Sequence, residues 1–410
     1  MTPFRPEIVS PAGTPEKLKT AFHFGADAVY LGLKKYSMRA AAGNFDTDEV
    51  EWAVKYAHER GRRVYVTVNA MPDDDDLEGI ESALKTLGSL GVDAVVAGDA
   101  SVLALARREA PGTPIHLSTQ LSVTNREAAR FWFEQGVECI IVARELSVEK
   151  LGSLVRSVPG RIEAFVHGAV CIAYSGRCLL SLYWAGSHRN PQKGACAQAC
   201  RWQYRDLGDT RRLARPARLL EDEKGTHFFD AKDLWALPLL DRMVEAGVHG
   251  WKIEGRNRSE LYVGLTTDVY RTARDLIVET GAEAFRSERD RLMAELERLT
   301  SRGYSTHFLE GGEPGKEAYN PGGSYATYGD RFIGKVVRKD SNGLVVQLKS
   351  PVEPDDNLII RDRGMLQEAV ELAWVRLEGG GEVREGRPGD CVVLPGAFAA
   401  EPGALVLRPA

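Results

Sequence analysis

One pattern limits the fold of this chain more than any other. Short apolar runs alternate with amphipathic stretches through the first 260 residues. Seven runs fall at 7–12, 28–33, 63–69, 93–99, 114–120, 139–145 and 162–170. Amphipathic stretches such as 14–24, 48–59 and 77–90 lie between them. Thr14-Pro15 places proline at a first helical position, and Gly25, Gly61, Gly91 and Gly136 stand where helices should end. A strand covered by helices on both faces needs no polar side, so near-continuous apolar runs indicate βα units on a parallel sheet. An eighth candidate strand at 250–255 follows a helical stretch at 233–246, and further helical stretches cover 261–279 and 284–300. Eight such units predict an α/β fold, a TIM-type (β/α)8 barrel with its chemistry at the C-terminal ends of the strands. An open doubly wound sheet is the alternative. No Gly-x-Gly-x-x-Gly follows the first strand, which weakens a dinucleotide-binding version.

The pattern changes after residue 310. The stretch 311–325 holds five Gly and two Pro and predicts a linker. Beyond it apolar and polar residues alternate, and Asn342-Gly343 marks a hairpin, so 326–410 predicts a small C-terminal all-β barrel. The expected organisation is a catalytic barrel over 1–310, interrupted after strand seven by a cysteine-rich insertion at 170–232, then the linker and the β domain. A hydrophobic fraction of 43% with 27% charged residues excludes disorder, collagen and coiled coil. No apolar run is long enough to span a membrane, and the first residues lack the apolar core of a secretory signal, so a cytoplasmic location is expected. The net charge of −5 argues against coating nucleic acid through bulk charge. The β domain, with 11 basic and 13 acidic residues, carries no electrostatic signature of RNA binding.

Polar groups gather at the predicted strand ends. They are Asn69, then Ser118 and Gln120 after His116, Arg144-Glu145, His167, and Lys252, Glu254 and Arg256. Left buried and unpaired, each would cost about 1–3 kcal/mol, so they are either paired structurally or used. Four of the six cysteines lie in one stretch, spaced Cys171-x6-Cys178-x17-Cys196-x3-Cys200. Four thiolates suit tetrahedral zinc or a [4Fe–4S] cluster. Paired Cys-x-x-Cys knuckles are absent, and Gln203 stands where a radical-type motif would place its third cysteine. The Gly- and Pro-containing loop between them favours an iron–sulfur cluster, with zinc the alternative and free thiols or a disulfide behind it. Cys139 and Cys391 are expected in cores. Residues 201–218 hold six Arg and two Asp, with Trp202 and Tyr204 interleaved. That mixture suits RNA phosphates and stacked bases, or a solvated loop. The acidic run 73–76 is expected to be a solvated helix N-terminus.

The run from Glu163 through His167-Gly168-Ala169-Val170-Cys171 to Cys178 and Ser181 resembles the signature of the collagenase-like peptidase family U-32. Further segments extend the likeness over nearly the whole chain. They are Ser10-Pro11-Ala12-Gly13, Gly25–Tyr30, His116–Gln120, 194–204 and 247–256. The TrhP (YegQ-like) branch is the most similar. The resemblance implies oxygen-independent hydroxylation of tRNA, forming wobble 5-hydroxyuridine, with prephenate as co-substrate. It also implies a [4Fe–4S] cluster on Cys171, Cys178, Cys196 and Cys200, the fourth ligand varying within the family.

Three functions follow as hypotheses. The first is a cluster-dependent tRNA hydroxylase. There Glu254 and His167 would handle protons, Gln120 and Asn69 would join them, and Arg39, Ser118, Arg144, Lys252 and Arg256 would bind a small dicarboxylate. Arg201, Trp202 and Arg205 would meet RNA, and electron-donor or cluster-assembly proteins would be partners. The second is a peptidase with Cys171 or Cys178 activated by His167; neither His-Glu-x-x-His nor Gly-x-Ser-x-Gly occurs. The third is a non-catalytic RNA-binding protein with a structural metal.

Overall fold

The computed structural model describes residues 4–39, 43–201, 221–222, 225–226, 230–312, 314–319 and 329–410. Its contacts form two compact units, one of 1–15, 27–257 and 301–326, the other of 16–26, 258–300 and 327–410.

Eight parallel strands form the first unit's barrel. They are β1 (Glu7–Pro11), β2 (Ala28–Gly32), β3 (Arg63–Val68), β4 (Ala94–Ala97), β5 (Ile115–Leu117), β6 (Cys139–Ile141), β7 (Arg161–Ala169) and β8 (Gly250–Ile253). Each pairs with the next, and β8 pairs with both β7 and β1, so the ring has no edge. The closed (β/α)8 architecture is therefore the one the apolar runs predict. Gly25, Gly61, Gly91 and Gly136 all have φ between 62° and 93°, the left-handed conformation that ends a helix.

The barrel interior carries polar layers. Glu7, Arg63 and Arg161 open β1, β3 and β7, and Glu7 accepts from Arg63, Arg161 and the Tyr65 hydroxyl, each at 2.7 Å. Further along, Lys252 donates to Glu163 at 2.8 Å, both side chains being buried. His116 and Cys139 offer donor atoms within 4.8 Å of Glu163. By type these three groups would suit a metal, but the Lys252 ammonium already neutralises Glu163. Burial, then Lys252, Arg161 and Arg63, depress His116 to about 3, so the layer holds a neutral imidazole. A histidine kept neutral by folding contributes stability above its ordinary value of 6.5 and loses it as pH falls toward 3. The urea midpoint is therefore expected to fall between pH 6.5 and 4, and His116→Asn to flatten that slope.

One segment departs from its sequence pattern. Residues 233–246 are not one helix: Asp233–Trp235 is a strand antiparallel to the end of β7, with Leu234 opposite Gly168, and only Leu240–Glu245 is α-helical. The tip of β7 presents backbone groups that need partners, and this strand supplies them. Tyr304–Ser305 extends the same pairing.

The second unit holds the helices Pro15–His23, Glu260–Asp275 and Ala282–Glu297. It also holds a curled antiparallel sheet of β9 (Arg331–Asp340), β10 (Gly343–Leu348), β11 (Asn357–Asp362), β12 (Leu366–Glu371), β13 (Cys391–Pro395) and β14 (Leu405–Arg408). Their order is β12-β11-β14-β9-β10-β13. Asp340 faces Gly343 across the predicted hairpin. Cys391 is half-buried rather than a core residue. Alternation along β13 turns Val392 and Leu394 inward and Cys391 to the other face. Among the described residues no helix is long and apolar enough to cross a membrane.

Candidate functional site

The cysteine loop leaves β7 at Ala169 and is fastened to the strand-end loops. Ser175 donates to the Glu145 carboxylate, after β6, through its backbone N–H (2.9 Å) and its hydroxyl (2.9 Å). Ser122, after β5, donates to the Ser175 carbonyl. Met71 N–H, after β3, donates to the Gln192 carbonyl at 2.8 Å, and the Gln192 amide donates to the carbonyls of Gly176 and Cys178, both at 3.1 Å. Lys193 bonds Asp73 at 2.7 Å and also Asp76. The acidic run is the mostly exposed N-terminus of the helix Asp74–Leu90, as expected, and two of its carboxylates also dock the loop. Two glycines make the docking close. A Cβ on Gly176 (φ 75°) would lie 2.0 Å from the Gln120 carbonyl oxygen, and one on Gly194 (φ 80°) 2.3 Å from that of Ser37. Gly176→Ala is expected to loosen the loop and speed alkylation of Cys171 and Cys178 about tenfold, the effect of roughly 1.4 kcal/mol of strain on an opening equilibrium. Iodoacetamide labelling followed by mass spectrometry measures it.

Beneath the loop lies a cavity of about 130 Å³. That is room for several waters or one small ligand. All four clustered cysteines line it. So do Asn69, Ser118 and Gln120, together with Arg39, Arg144, Lys252, Glu254 and Arg256. Charge there is lopsided: four cationic side chains against the single carboxylate of Glu254.

Each charge is held in place. The Glu254 N–H donates to the His167 carbonyl at 2.9 Å, and its carboxylate meets Arg39 at 3.4 Å. Arg256 is buried and donates to Ser37 at 2.8 Å and to Thr67 and Asn44 at 3.3 Å; burial lowers it to about 10. A Cβ on Gly32 would strike its guanidinium at 1.8 Å, so the absence of a side chain at 32 lets Arg256 lie there. Arg144 stacks on Phe165 at 4.0 Å. Lys252 lies 4.1 Å over the Tyr30 ring with its ammonium on Glu163.

The four thiols feel one another. Burial pushes Cys200 up to about 11; Arg201 opposes this, while Cys171, Cys196 and Cys178 add to it. Burial also raises Cys178, with Cys171 and Cys196 adding to the rise. Yet among the described residues only His116, Cys139 and Glu163 form a trio of metal donors mutually within 4.8 Å. Tetrahedral zinc with Zn–S near 2.3 Å needs its sulfurs about 3.8 Å apart. A cubane several ångström wide spreads its ligand sulfurs farther than a single zinc ion does.

The model of Peptidase family U32 matches residues 13–319. This chain belongs to that family. Among its U32 relatives, the tRNA hydroxylation protein P1 of Bacillus subtilis (strain 168) is 37% identical over 347 residues, covering 84% of this chain and 80% of the relative. The tRNA hydroxylation protein P of Escherichia coli (strain K12) is 36% identical, covering 75% of each chain. The 23S rRNA 5-hydroxycytidine C2501 synthase of Escherichia coli (strain K12) is 32% identical over 86% of this chain and 52% of its own length.

Of the predicted site residues, Arg39, Asn69, Ser118, Gln120, Arg144, Lys252, Glu254, Arg256 and the four clustered cysteines share one cavity, whereas His167 and Arg201 do not line it. His167 is buried outside the lining, its ring 5.4 Å from that of Tyr304, and its carbonyl accepts from the N–H of the lining residue Glu254. Arg201 is half-buried and donates to Gln198 at 2.5 Å. Trp202 and Arg205 lie outside the described residues. Tyr30, Thr67, Phe165, Tyr174 and Gln192 also line the cavity without having been singled out. Tyr30 and Phe165 are apolar-run residues whose direction only barrel closure decides, and no sequence signal marks Gln192.

Proposed function

We propose that this U32 protein is a tRNA-modifying enzyme that hydroxylates the wobble uridine to 5-hydroxyuridine without molecular oxygen. In this account Cys171, Cys178, Cys196 and Cys200 hold a [4Fe–4S] cluster and prephenate is the co-substrate. The observation that carries it is a single cavity lined by four thiols and four cationic side chains together. When bound, the cluster would supply one-electron or Lewis-acid chemistry. The names of the relatives support RNA hydroxylation as the reaction, and four thiols lining one cavity supply the ligand number that a [4Fe–4S] cluster needs.

The chain's own groups divide the remaining work. Arg39, Arg144 and Arg256 bind the carboxylates of the co-substrate, where planar guanidinia match carboxylate geometry. Lys252 stays on Glu163 and supports them from below. Ser118, Gln120 and Asn69 offer neutral hydrogen bonds to the edge of a flipped base. Glu254, the carboxylate of the lining, holds or moves the proton. His167 positions Glu254 through its carbonyl. Arg201, with Trp202 and Arg205, serves the RNA backbone. Electron-donor and cluster-assembly proteins act in the cytoplasm as partners.

A cysteine peptidase would need an imidazole beside its nucleophile, and His167 is buried outside the cavity. Anaerobically purified protein, incubated with unmodified tRNA, prephenate and a two-electron acceptor that takes up the electrons released as C5–H becomes C5–OH, is expected to yield 5-hydroxyuridine by nucleoside mass spectrometry. Gelatin cleavage abolished by Cys171→Ser, with no modified nucleoside, would replace the hydroxylase with the peptidase.

A further inference from the structure

Eight large apolar side chains are exposed among the described residues, and four of them, Tyr174, Leu179, Tyr183 and Trp184, lie within one stretch of the cysteine loop. Tyr183 is 80% and Leu179 64% exposed. Scattered apolar residues on a surface need no explanation, but a run of them beside a cavity does. The helix Leu180–Ala185 carries the pair Tyr183–Trp184, whose rings meet edge to face at 5.3 Å. Ser181 ties this helix to the loop, donating to the Arg189 carbonyl at 2.8 Å and accepting from the Ala197 N–H at 2.7 Å. The aromatic face is therefore fixed to the same frame that carries Cys178 and Cys196. Tyr174, earlier in the same loop, is both half exposed and part of the cavity lining.

We propose that Tyr174, Leu179, Tyr183 and Trp184 form a stacking platform for unpaired bases of the RNA loop whose target base enters the cavity. This rests on the hydroxylase account. Charge selects the occupant: residues 171–201 contain Arg177, Arg189 and Arg201, beside a Lys193 paired with Asp73 and Asp76, and no Asp or Glu. A positive, aromatic surface complements a polyanion that carries flat faces. Single-stranded bases bind such rings by stacking, which tolerates sequence, while the hydrogen-bonding groups of the cavity select the base that is flipped.

The test is fluorescence anisotropy of a labelled synthetic RNA stem-loop with an unpaired uridine, using the anaerobically purified full chain. Tyr183→Ala with Trp184→Ala is expected to weaken binding about tenfold or more, the effect of losing a stacked base. Tyr183→Phe with Trp184→Phe keeps both rings and should bind within about threefold of the parent. The dependence on salt should be unchanged in both, because no phosphate contact is lost. Equal binding by the parent and the alanine pair would overturn the platform and leave the hydroxylase account standing. Failure of the parent to bind RNA at all would overturn the hydroxylase account itself. A parent mass of two chains that drops to one in the alanine pair would assign the face to a second copy and overturn the platform.

Discussion

Cys171→Ser is expected to abolish hydroxylation of tRNA while leaving the thermal midpoint within a few degrees of the parent. The Cys171 side chain is exposed, and the loop around it is held by bonds in which its sulfur takes no part. Those bonds are Ser175 to Glu145, Gln192 to the carbonyls of Gly176 and Cys178, and Lys193 to Asp73 and Asp76. Losing one exposed thiol removes little buried area, and about 1 kcal/mol moves Tm only about 2–4 °C in a domain of 150–250 residues. Activity falls for a different reason: a cubane left with three thiolates loses a ligand that its electronics and retention depend on. Ser at Cys178, Cys196 or Cys200 should act alike, each lowering the iron content of anaerobic protein. Calorimetry and iron analysis of the same samples check both halves. Cooperative unfolding of each cysteine variant near room temperature would instead make the metal a structural one.

Glu163→Ala is expected to destabilise the barrel by about 3–5 kcal/mol, because it leaves the buried Lys252 ammonium without its partner. Glu163 is 1% and Lys252 4% exposed, so without the carboxylate the ammonium is left poorly solvated. The pair is not expected to be worth that much in itself, since taking both charges out of water offsets much of their attraction. Glu163→Ala combined with Lys252→Met should therefore recover a large part of the loss. Urea unfolding of the parent, both single variants and the double variant gives the coupling energy directly. A double variant as unstable as the two losses summed would show that the residues act independently.

Much of this fold is legible because its determinants are local. Runs such as Ala28–Gly32 and Arg63–Val68 are buried on both faces, and the glycines at 25, 61, 91 and 136 end the helices as their backbone freedom allows. The strand-end groups were found by the same logic, since a closed barrel brings the ends of all eight strands together whatever their distance in sequence. What escaped is non-local. Asp233–Trp235 is a strand because the end of β7 needs a partner, and nothing within 233–246 reveals that. The acidic run at 73–76 is the mostly exposed helix start its sequence indicates, but its pairing with Lys193 of the cysteine loop depends on a contact 117–120 residues away. His167 stands in the signature four residues before the first cysteine, yet its ring is buried outside the cavity lining beside that of Tyr304, while its carbonyl accepts from the Glu254 N–H. Cys391 was misplaced although period-two alternation with Val392 and Leu394 was there to be read.

The central claim is that the cavity under the cysteine loop hydroxylates tRNA. Nucleoside mass spectrometry tests it most directly, on tRNA from a strain deleted for this chain and for any paralogue, complemented with the parent, Glu254→Gln or Cys171→Ser. The account predicts 5-hydroxyuridine restored by the parent and absent or severely reduced with either variant, all three proteins accumulating equally. Undiminished 5-hydroxyuridine in the uncomplemented strain, or full restoration by Cys171→Ser, would contradict it.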